Sequence, residues 1–348
     1  MKLAKVFAAT VASALLFSAA EAGSQQIRIA LQLPRDSHIY ENLEFFKVMV
    51  EKDTNGALQI VIADSGQLIR EQDAPEAVAT GAVEMASVAV NQYGGVIPAA
   101  DLFVEPFMFV QPTLLAAATR AGSPVRAPID RAILEQTAAR VLWWQSNGTT
   151  VLVSKGAPLD TPAAIAGKVV RVSTDSEGEF IRACGGSPRV IPGAAHYDAH
   201  QTGAVAAGSI PIAAIAVRKF WGVADFVSLT RHRTSEFVVT INERLWQSLS
   251  TEHKRVVEEA AREAEAAIRE RVAVIEREAN ALAEKNGMKL VELTAADWDR
   301  WKACAAPKLE AYLDRSGPLG AQVMAGYRQL LVEVHRKTPP QPGQHRLQ

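Results

Sequence analysis

The stretch from Thr161 to Thr174 reads TPAAIAGKVVRVST, and it decides how the rest of the chain is interpreted. A Thr-Pro turn and a short apolar segment lead to Gly167, and a valine-rich run follows, which favours a buried strand. Arg171 interrupts that run. Because a buried guanidinium without a partner is costly, Arg171 must pair with an internal carboxylate or face an anion from outside the protein. The stretch alone leaves both interpretations open.

The first 22 residues have the pattern of a secretory signal peptide. Lys2 and Lys5 give a basic start, Val6 to Ala20 form an apolar core, and Ala20-Glu21-Ala22 matches an A-x-A cleavage site. The apolar run is shorter than the ~20 residues that span a bilayer. We therefore expect export to the periplasm, cleavage before Gly23 and no membrane-embedded segment.

The composition is that of an ordinary globular protein, with 48% hydrophobic and 22% charged residues and a formal net charge of −1. This balance lacks the basic surface expected of a nucleic-acid-binding protein. A length of 348 residues favours two domains. The only cysteines are Cys184 and Cys304. An oxidising compartment permits a bridge between them, but two cysteines do not establish a disulfide framework, so their pairing stays open.

The first 90 residues alternate between strand and helix patterns. Strands are predicted at 26–32, 57–62 and 83–90, and this order indicates a parallel α/β sheet. In such sheets ligands bind beyond the carboxyl ends of the strands. The candidate pocket residues at these ends are His38, Asn91, Gln92 and Tyr93, with ordinary loop positions as the alternative.

The remaining chain contains shorter strand patterns and one long helical pattern. Strands are predicted at 141–144 and 237–241, and terminal helices at 295–312 and 321–334. The periodic segment 252–286 predicts a single helix roughly 50 Å long, which is long enough to cross two domains. The Pro- and Gln-rich end, taken as 336–348, is predicted to be a disordered tail.

Together, these parts resemble the solute receptors of tripartite ATP-independent periplasmic (TRAP) transporters, the dicarboxylate-receptor-like family. The resemblance covers nearly all of residues 27–330. It rests on the order and spacing of several motifs, each of which is weak alone. These motifs are EKDTNG (51–56), SGQL (65–68), PFMF (106–109), GKVVRV (167–172), YDA (197–199), GAV (203–205) and VTIN (239–242).

The resemblance implies a two-domain periplasmic-binding-protein-like α/β fold with hinge strands and a long domain-spanning helix. It also implies a receptor without catalysis or cofactor, which closes on a ligand and presents it to TRAP membrane permease subunits. A monomer is the default expectation, because the sequence does not reveal chain pairing. The predicted division assigns 23–148 and 236–275 to domain 1, and 149–235 and 276–335 to domain 2.

Arg171 matches the carboxylate clamp of the family. A guanidinium fork forms charge-assisted hydrogen bonds worth roughly 1.5–3 kcal/mol each. Micromolar affinity needs about 8 kcal/mol, so apolar contacts and further hydrogen bonds must contribute. We therefore expect Arg171 to bind a small organic acid. The further candidate pocket residues are Trp144, Ser173, Ile210 and Pro211.

Three departures from the family pattern bear on the ligand. Thr149 and Thr150 stand where many relatives carry a second arginine, and Ala195 stands where an acidic residue is usual. Ala206-Ala207 and Ile210 replace an Asp-Gly pair and a following polar residue. These changes predict a monocarboxylate with an apolar or aromatic body, or a 2-oxo acid, rather than a dicarboxylate or sugar acid.

Two other interpretations remain open. His196 and His200 lie at i and i+4, the spacing of metal ligands on one helix face, so an exported metal-binding protein or metalloenzyme is the first alternative. The sequence lacks the glutamate of an H-E-x-x-H motif and a third strong ligand nearby. The second alternative is a receptor that reports its ligand to a membrane sensor.

Overall fold

The computed structural model describes residues 24–337. The predicted signal peptide and residues 338–348 of the predicted tail lie outside them. The strands are β1 (Gln25–Leu31), β2 (Leu58–Ala63), β3 (Met85–Ala89), β4 (Ala139–Ser154), β5 (Val169–Val172), β6 (Ser187–Val190), β7 (Ala207–Pro211), β8 (Phe226–Asn242) and β9 (Lys289–Val291). The helices are α1 (His38–Asp53), α2 (Ala74–Thr80), α3 (Pro112–Thr119), α4 (Arg126–Thr137), α5 (Pro162–Ile165), α6 (Asp175–Ala183), α7 (His196–Gln201), α8 (Ile212–Val217), α9 (Glu243–Ser248), α10 (Thr251–Lys285) and α11 (Ala295–Lys337).

One sheet runs through the molecule in the order β2-β1-β3-β8-β4-β7-β5-β6, with β9 paired to β8. The first three strands pair in parallel, as the sequence pattern predicts. Strands β5, β6 and β7 also pair in parallel. The strands β2-β1-β3 and their helices form the first domain, and β7-β5-β6 and their helices form the second, so the predicted two-domain α/β fold is confirmed.

The antiparallel pair β4 and β8 connects the two domains. These strands have 16 and 17 residues, so the prediction of short strands at 141–144 and 237–241 was wrong in extent. Strand β4 continues through Gly148 because a bulge forms there, and Gly148 has a φ of 98°. A Cβ at this position would lie 2.6 Å from Glu276 Oε1 on α10, so a larger residue would displace that carboxylate, and the φ of 98° itself favours glycine.

Helix α10 has 35 residues and spans both domains, as predicted from its periodic pattern. Ser250 begins it by accepting a hydrogen bond from the His253 backbone N–H. Near its start, Val257 and Ala264 pack in the core formed with β1, β2 and α1. Near its end, Ala279 and Ala283 pack in the second domain.

Helix α11 is kinked at Gly317 and continues to Lys337, so Arg336 and Lys337, predicted to begin the tail, are helical. Beyond the kink, Met324 and Tyr327 pack in the same core as Phe103 of the first domain. The division that assigned 276–335 to domain 2 stays a prediction, and this part of α11 packs against residues of the first domain.

A disulfide joins Cys184, at the end of α6, to Cys304 on α11, which settles the pairing that the sequence left open. The bridge closes a loop of 120 residues. We expect its removal in a Cys184→Ser/Cys304→Ser variant to lower the free energy of unfolding by about 2–4 kcal/mol. Urea unfolding with and without a thiol reductant measures this loss. The serine variant should not respond to the reductant, and equal stability of the native protein in both conditions would contradict the prediction.

Candidate ligand-binding site

A cleft lies between the domains, where the loops after β1 and β3 face the ends of β5 and β7. Its atom-free space is about 460 Å³, including the open mouth. Apolar side chains from both domains form part of its wall. Its polar and charged lining residues are Gln32, Glu71, Asn91, Asn147, Arg171, Ser173, His196, Arg218, Arg233 and Ser235.

Arg171 lies on β5 and is 4% exposed. Its Nε donates to the Ile191 carbonyl at 2.8 Å and its Nη1 to the Ser209 carbonyl at 2.9 Å. These bonds fix the plane of the guanidinium, and no acceptor within residues 24–337 bonds to Nη2. Burial lowers the pKa of Arg171 to about 10 despite the opposing charge of Glu177, so the group is cationic at neutral pH. It is therefore a fixed, buried cation at the cleft.

Arg233 belongs to a second buried charge group, centred on Glu177 of α6. Glu177 accepts hydrogen bonds from Arg233 Nε at 2.9 Å, from the backbone and hydroxyl of Ser173, both at 2.7 Å, and from the Ser209 hydroxyl. Burial alone would raise the pKa of Glu177, but the charges of Arg233 and Arg171 outweigh it and lower the pKa to about 2. Glu177 is thus an internal counter-charge, and it bonds Arg233 rather than Arg171.

Arg218 and Glu71 complete the charged lining. Arg218 follows α8, and its guanidinium bonds the Gly193 carbonyl and, at 3.3 Å, Gln32 Oε1 of the first domain. Glu71 is 7% exposed. Burial raises its pKa, although Arg171 acts in the opposite direction.

The charge balance of the cleft favours an anion. The three arginines stand against two carboxylates, Glu71 and Glu177, and the excess positive charge grows if Glu71 is protonated. His196 adds no charge near neutral pH, because burial and then Arg171 hold its pKa well below 6.5. An uncompensated buried cation is costly, so an incoming carboxylate would be stabilised here.

Five of the nine predicted pocket residues line the cleft, and they come from both domains. They are Asn91, Arg171, Ser173, Ile210 and Pro211. In addition, Asn91 Nδ2 donates across the cleft to Thr174 Oγ1 at 3.2 Å.

The other four predicted residues point elsewhere. His38 Nε2 contacts the Ser146 carbonyl at 3.1 Å, and the Tyr93 hydroxyl contacts Thr240 Oγ1 at 3.2 Å. Trp144 is buried in the first domain, where its Nε1 donates to Asp130 at 2.7 Å. Gln92 and Tyr93 lie with Asn91 on the helical turn Val90–Tyr93. Successive side chains on such a turn diverge, and of these three only Asn91 lines the cleft.

Sequence reasoning missed Arg218, Arg233, Glu71 and Asn147. Arg233 lies on β8 opposite Thr150 in the register, so it restores a guanidinium next to the position where many relatives carry a second arginine. Arg231 to Glu236 form a polar run within β8, and that run alone does not mark Arg233 as a cleft residue.

Among residues 24–337, no group of three His, Cys, Asp or Glu side chains is arranged to hold a metal ion. Across the same residues, no helix combines the length and apolar character needed to cross a bilayer.

His232 supplies a pH-dependent prediction. Burial, and then the charge of Arg233, lower its pKa to about 3 from 6.5. A histidine held neutral in this way stabilises the fold fully above pH 6.5, and that contribution is lost as the pH falls toward 3. We expect His232 to account for a loss of about 2 kcal/mol between pH 6.5 and 5, at about 1.36 kcal/mol per pH unit. Urea unfolding of His232→Gln should show a shallower pH dependence in this range.

The control for this measurement is His253→Gln at the start of α10, a histidine outside the core. Its pH dependence should match that of the native protein. An unchanged slope in His232→Gln would show that His232 is not held neutral by the fold.

Comparison with known proteins agrees with this fold. Residues 29–315 match the family described as bacterial extracellular solute-binding protein, family 7. The chain is 27% identical over 269 residues to the 2,3-diketo-L-gulonate-binding periplasmic protein YiaO of Escherichia coli, covering 76% of this chain and 80% of that protein. It is 24% identical over 294 residues to the C4-dicarboxylate-binding periplasmic protein DctP of Rhodobacter capsulatus, covering 83% and 85%.

Solved structures give the same fold. DctP7 of Bordetella pertussis, an extracytoplasmic solute receptor binding pyroglutamic acid, superposes with a TM-score of 0.84 at 19% identity, covering 88% of this chain and 100% of that one. A TRAP periplasmic solute-binding protein from Desulfovibrio salexigens with bound orotic acid gives 0.83 at 24% identity, covering 89% and 99%. The family match spans most of the chain, and the fold and the cleft between two domains agree with it. This chain therefore belongs to family 7 of the bacterial extracellular solute-binding proteins, the receptors of TRAP transporters.

Proposed function

We propose that this protein is a periplasmic TRAP receptor that binds a small monocarboxylate with an apolar body in the interdomain cleft and delivers it to membrane permease subunits. The observation that carries this proposal is the position of Arg171. Two backbone carbonyls hold its guanidinium, and Nη2 is left without a protein acceptor among the described residues. It acts as a binding group and not as a catalyst.

The chemistry of similar proteins supports a carboxylate ligand. 2,3-Diketo-L-gulonate, pyroglutamic acid and orotic acid, named for three of them, each carry one carboxyl group. The rest of these molecules differs widely. The three ligands share a carboxylate and differ in the rest of the molecule. A fixed guanidinium that binds the carboxylate, in a pocket whose other residues vary, would select such ligands.

The charges and the apolar lining support a single carboxylate. Glu177 already compensates Arg233 through a buried ion pair, so Arg171 and Arg218 face an incoming anion with Glu71 as their counter-charge. The apolar side chains that line the cleft are Leu33, Ala89, Ile210, Pro211, Ala214 and Phe237. They would contact a hydrocarbon body, and burial of such a body contributes roughly 25 cal/mol per Å².

Ligand binding would be coupled to domain closure. The cleft takes residues from both domains, and β4, β8 and α10 connect them. A ligand that contacts both sides has a higher affinity for the closed state and shifts the population toward it. Across the cleft, Arg218 bonds Gln32 and Asn91 bonds Thr174, and these contacts would favour the same closure.

A thermal-shift screen of the protein beginning at Gly23 tests the proposal. The panel contains monocarboxylates, dicarboxylates, sugar acids and zinc chloride. We expect monocarboxylates to raise the unfolding midpoint, since a ligand at 100 times its Kd adds about 2.7 kcal/mol of stability. A response to dicarboxylates or sugar acids alone would overturn the monocarboxylate assignment. A response to zinc alone would favour the metal-binding alternative.

A further inference from the structure

Two buried histidines on α7 lie beside the cleft without hydrogen-bond partners for their Nε2 atoms. His196 is 1% exposed and His200 is 6% exposed, and their ring centroids are 5.1 Å apart. Within residues 24–337, neither Nε2 atom has a partner. His196 lines the cleft, whereas His200 lies one turn further along α7. A buried polar atom without a partner costs about 1–3 kcal/mol, so this arrangement calls for an explanation.

Gly208 makes room for both rings. A Cβ at this position would overlap His196 Nε2 and would lie 2.9 Å from His200 Nε2. Gly208 pairs in register with Arg171 across β7 and β5, and Arg171 also bonds the next carbonyl, that of Ser209. His196 therefore lies beside the strand that carries Arg171, and the charge of that guanidinium acts on its imidazole.

The electrostatics favour a neutral partner for these rings. Burial, followed by the charge of Arg171, lowers the pKa of His196 well below 6.5 and the pKa of His200 to about 4. A metal cation at the rings would face the same positive charge of Arg171. A neutral imidazole nitrogen instead donates or accepts one hydrogen bond, depending on its tautomer.

Because His196 adjoins Arg171, a ligand atom that reaches its ring would be close to the bound carboxylate. Carbon 2 of the acid is bonded directly to the carboxylate carbon, so its substituent is the one closest to the carboxylate. An ammonium group there would be repelled by Arg171 and Arg218, whereas a hydroxyl or a carbonyl oxygen can pair with a neutral imidazole.

We propose that His196 is a specificity-determining residue that hydrogen-bonds an oxygen on carbon 2 of the ligand, so that the protein prefers 2-hydroxy and 2-oxo monocarboxylates. This inference rests on the proposed function, because it takes Arg171 as the carboxylate site. It adds the chemical class of the substituent next to that carboxylate and the side chain that selects it.

Isothermal titration with four acids of one carbon skeleton tests the inference: butyrate, 2-hydroxybutyrate, 2-oxobutyrate and 2-aminobutyrate. We expect the hydroxy or oxo acid to bind about 10-fold more tightly than butyrate, which corresponds to one hydrogen bond of about 1.4 kcal/mol. We expect 2-aminobutyrate to bind more weakly than butyrate. His196→Phe keeps a ring but removes its nitrogens, so in this variant the hydroxy and oxo acids should bind no more tightly than butyrate. His253→Phe, far from the cleft, should retain the preference.

The outcomes separate this inference from the function on which it rests. If the acids bind and Arg171→Met abolishes binding, but His196→Phe keeps the preference, only the role of His196 is overturned. A native preference for butyrate would also overturn it. If none of the four acids binds, both proposals fail for this class of acid. Zinc binding that is lost in His200→Phe would assign the histidine pair to a metal and overturn the inference.

Discussion

Replacing Arg171 with methionine should weaken binding of the acid ligand by at least about 30-fold. Removing one partner of a buried, hydrogen-bonded charge pair costs roughly 2–5 kcal/mol, and each 1.4 kcal/mol corresponds to a factor of about ten in affinity. Methionine preserves much of the length of the side chain but has no donor for the carboxylate. Isothermal titration with the tightest-binding acid from the screen measures the change.

Arg171→Lys separates charge from geometry. A lysine ammonium has three donors and no planar fork, and it would have to satisfy the Ile191 and Ser209 carbonyls as well as the ligand. We expect it to retain only part of the affinity. Arg120→Met, at an exposed arginine after α3, is the matched control and should bind as the native protein does. Native affinity in Arg171→Met, with an unchanged thermal midpoint without ligand, would contradict the clamp assignment.

Replacing Lys308 with methionine should lower the free energy of unfolding by about 3–5 kcal/mol, because it leaves a buried carboxylate without its counter-charge. Lys308 lies on α11, and both its side chain and that of Glu105 are completely buried. Its ammonium group bonds Glu105 of the first domain and lies 3.8 Å from Glu179 of the second. Burial raises the pKa of Glu105 to about 7, and Lys308 acts in the opposite direction. Urea unfolding at pH 8, where Glu105 of the native protein is mostly ionised, measures the loss.

A double-mutant cycle identifies the cause of that loss. Adding Glu105→Gln to Lys308→Met removes the unpaired charge and should restore much of the stability. Arg255→Met, at an exposed ion pair on α10, should leave stability unchanged. A Lys308→Met variant as stable as the native protein would show that the buried pair contributes nothing to the fold.

The parts of the fold that the sequence predicts are those in which one local pattern decides the structure. Helix α10 was predicted almost to its ends because its periodic pattern ends at Gly287, and the structure adds the cap at Ser250. The full length of β4 was not predictable in this way. Its middle section contains Gln145, Ser146 and Thr150, which are buried polar residues. Gln145 and Ser146 bond Ser87 and Glu236, and those partners lie far away in the chain.

The cleft could be predicted only in part, for a similar reason. Arg171 stands out because it interrupts an apolar strand and matches a family motif. Arg218 and Arg233 do not stand out in this way, because tertiary contacts position them at the cleft. Arg218 bonds Gln32, and Arg233 bonds Glu177. Tyr93 lies on the turn after β3, and Trp144 lies within β4. Cleft residues occupy similar positions, but the direction of each side chain depends on the local turn and on the alternation of side chains along a strand. The position of a residue in the sequence predicts whether it lies at the carboxyl end of a strand, but tertiary packing decides whether its side chain faces the ligand.

The most direct test of the account is a crystal structure of the protein with the tightest-binding acid. We expect one carboxylate in the interdomain cleft, with an oxygen about 3 Å from Arg171 Nη2, while Nε and Nη1 keep their bonds to the Ile191 and Ser209 carbonyls. A carboxylate bound elsewhere, with Arg171 making only its backbone contacts, would contradict the central claim that Arg171 is the ligand clamp.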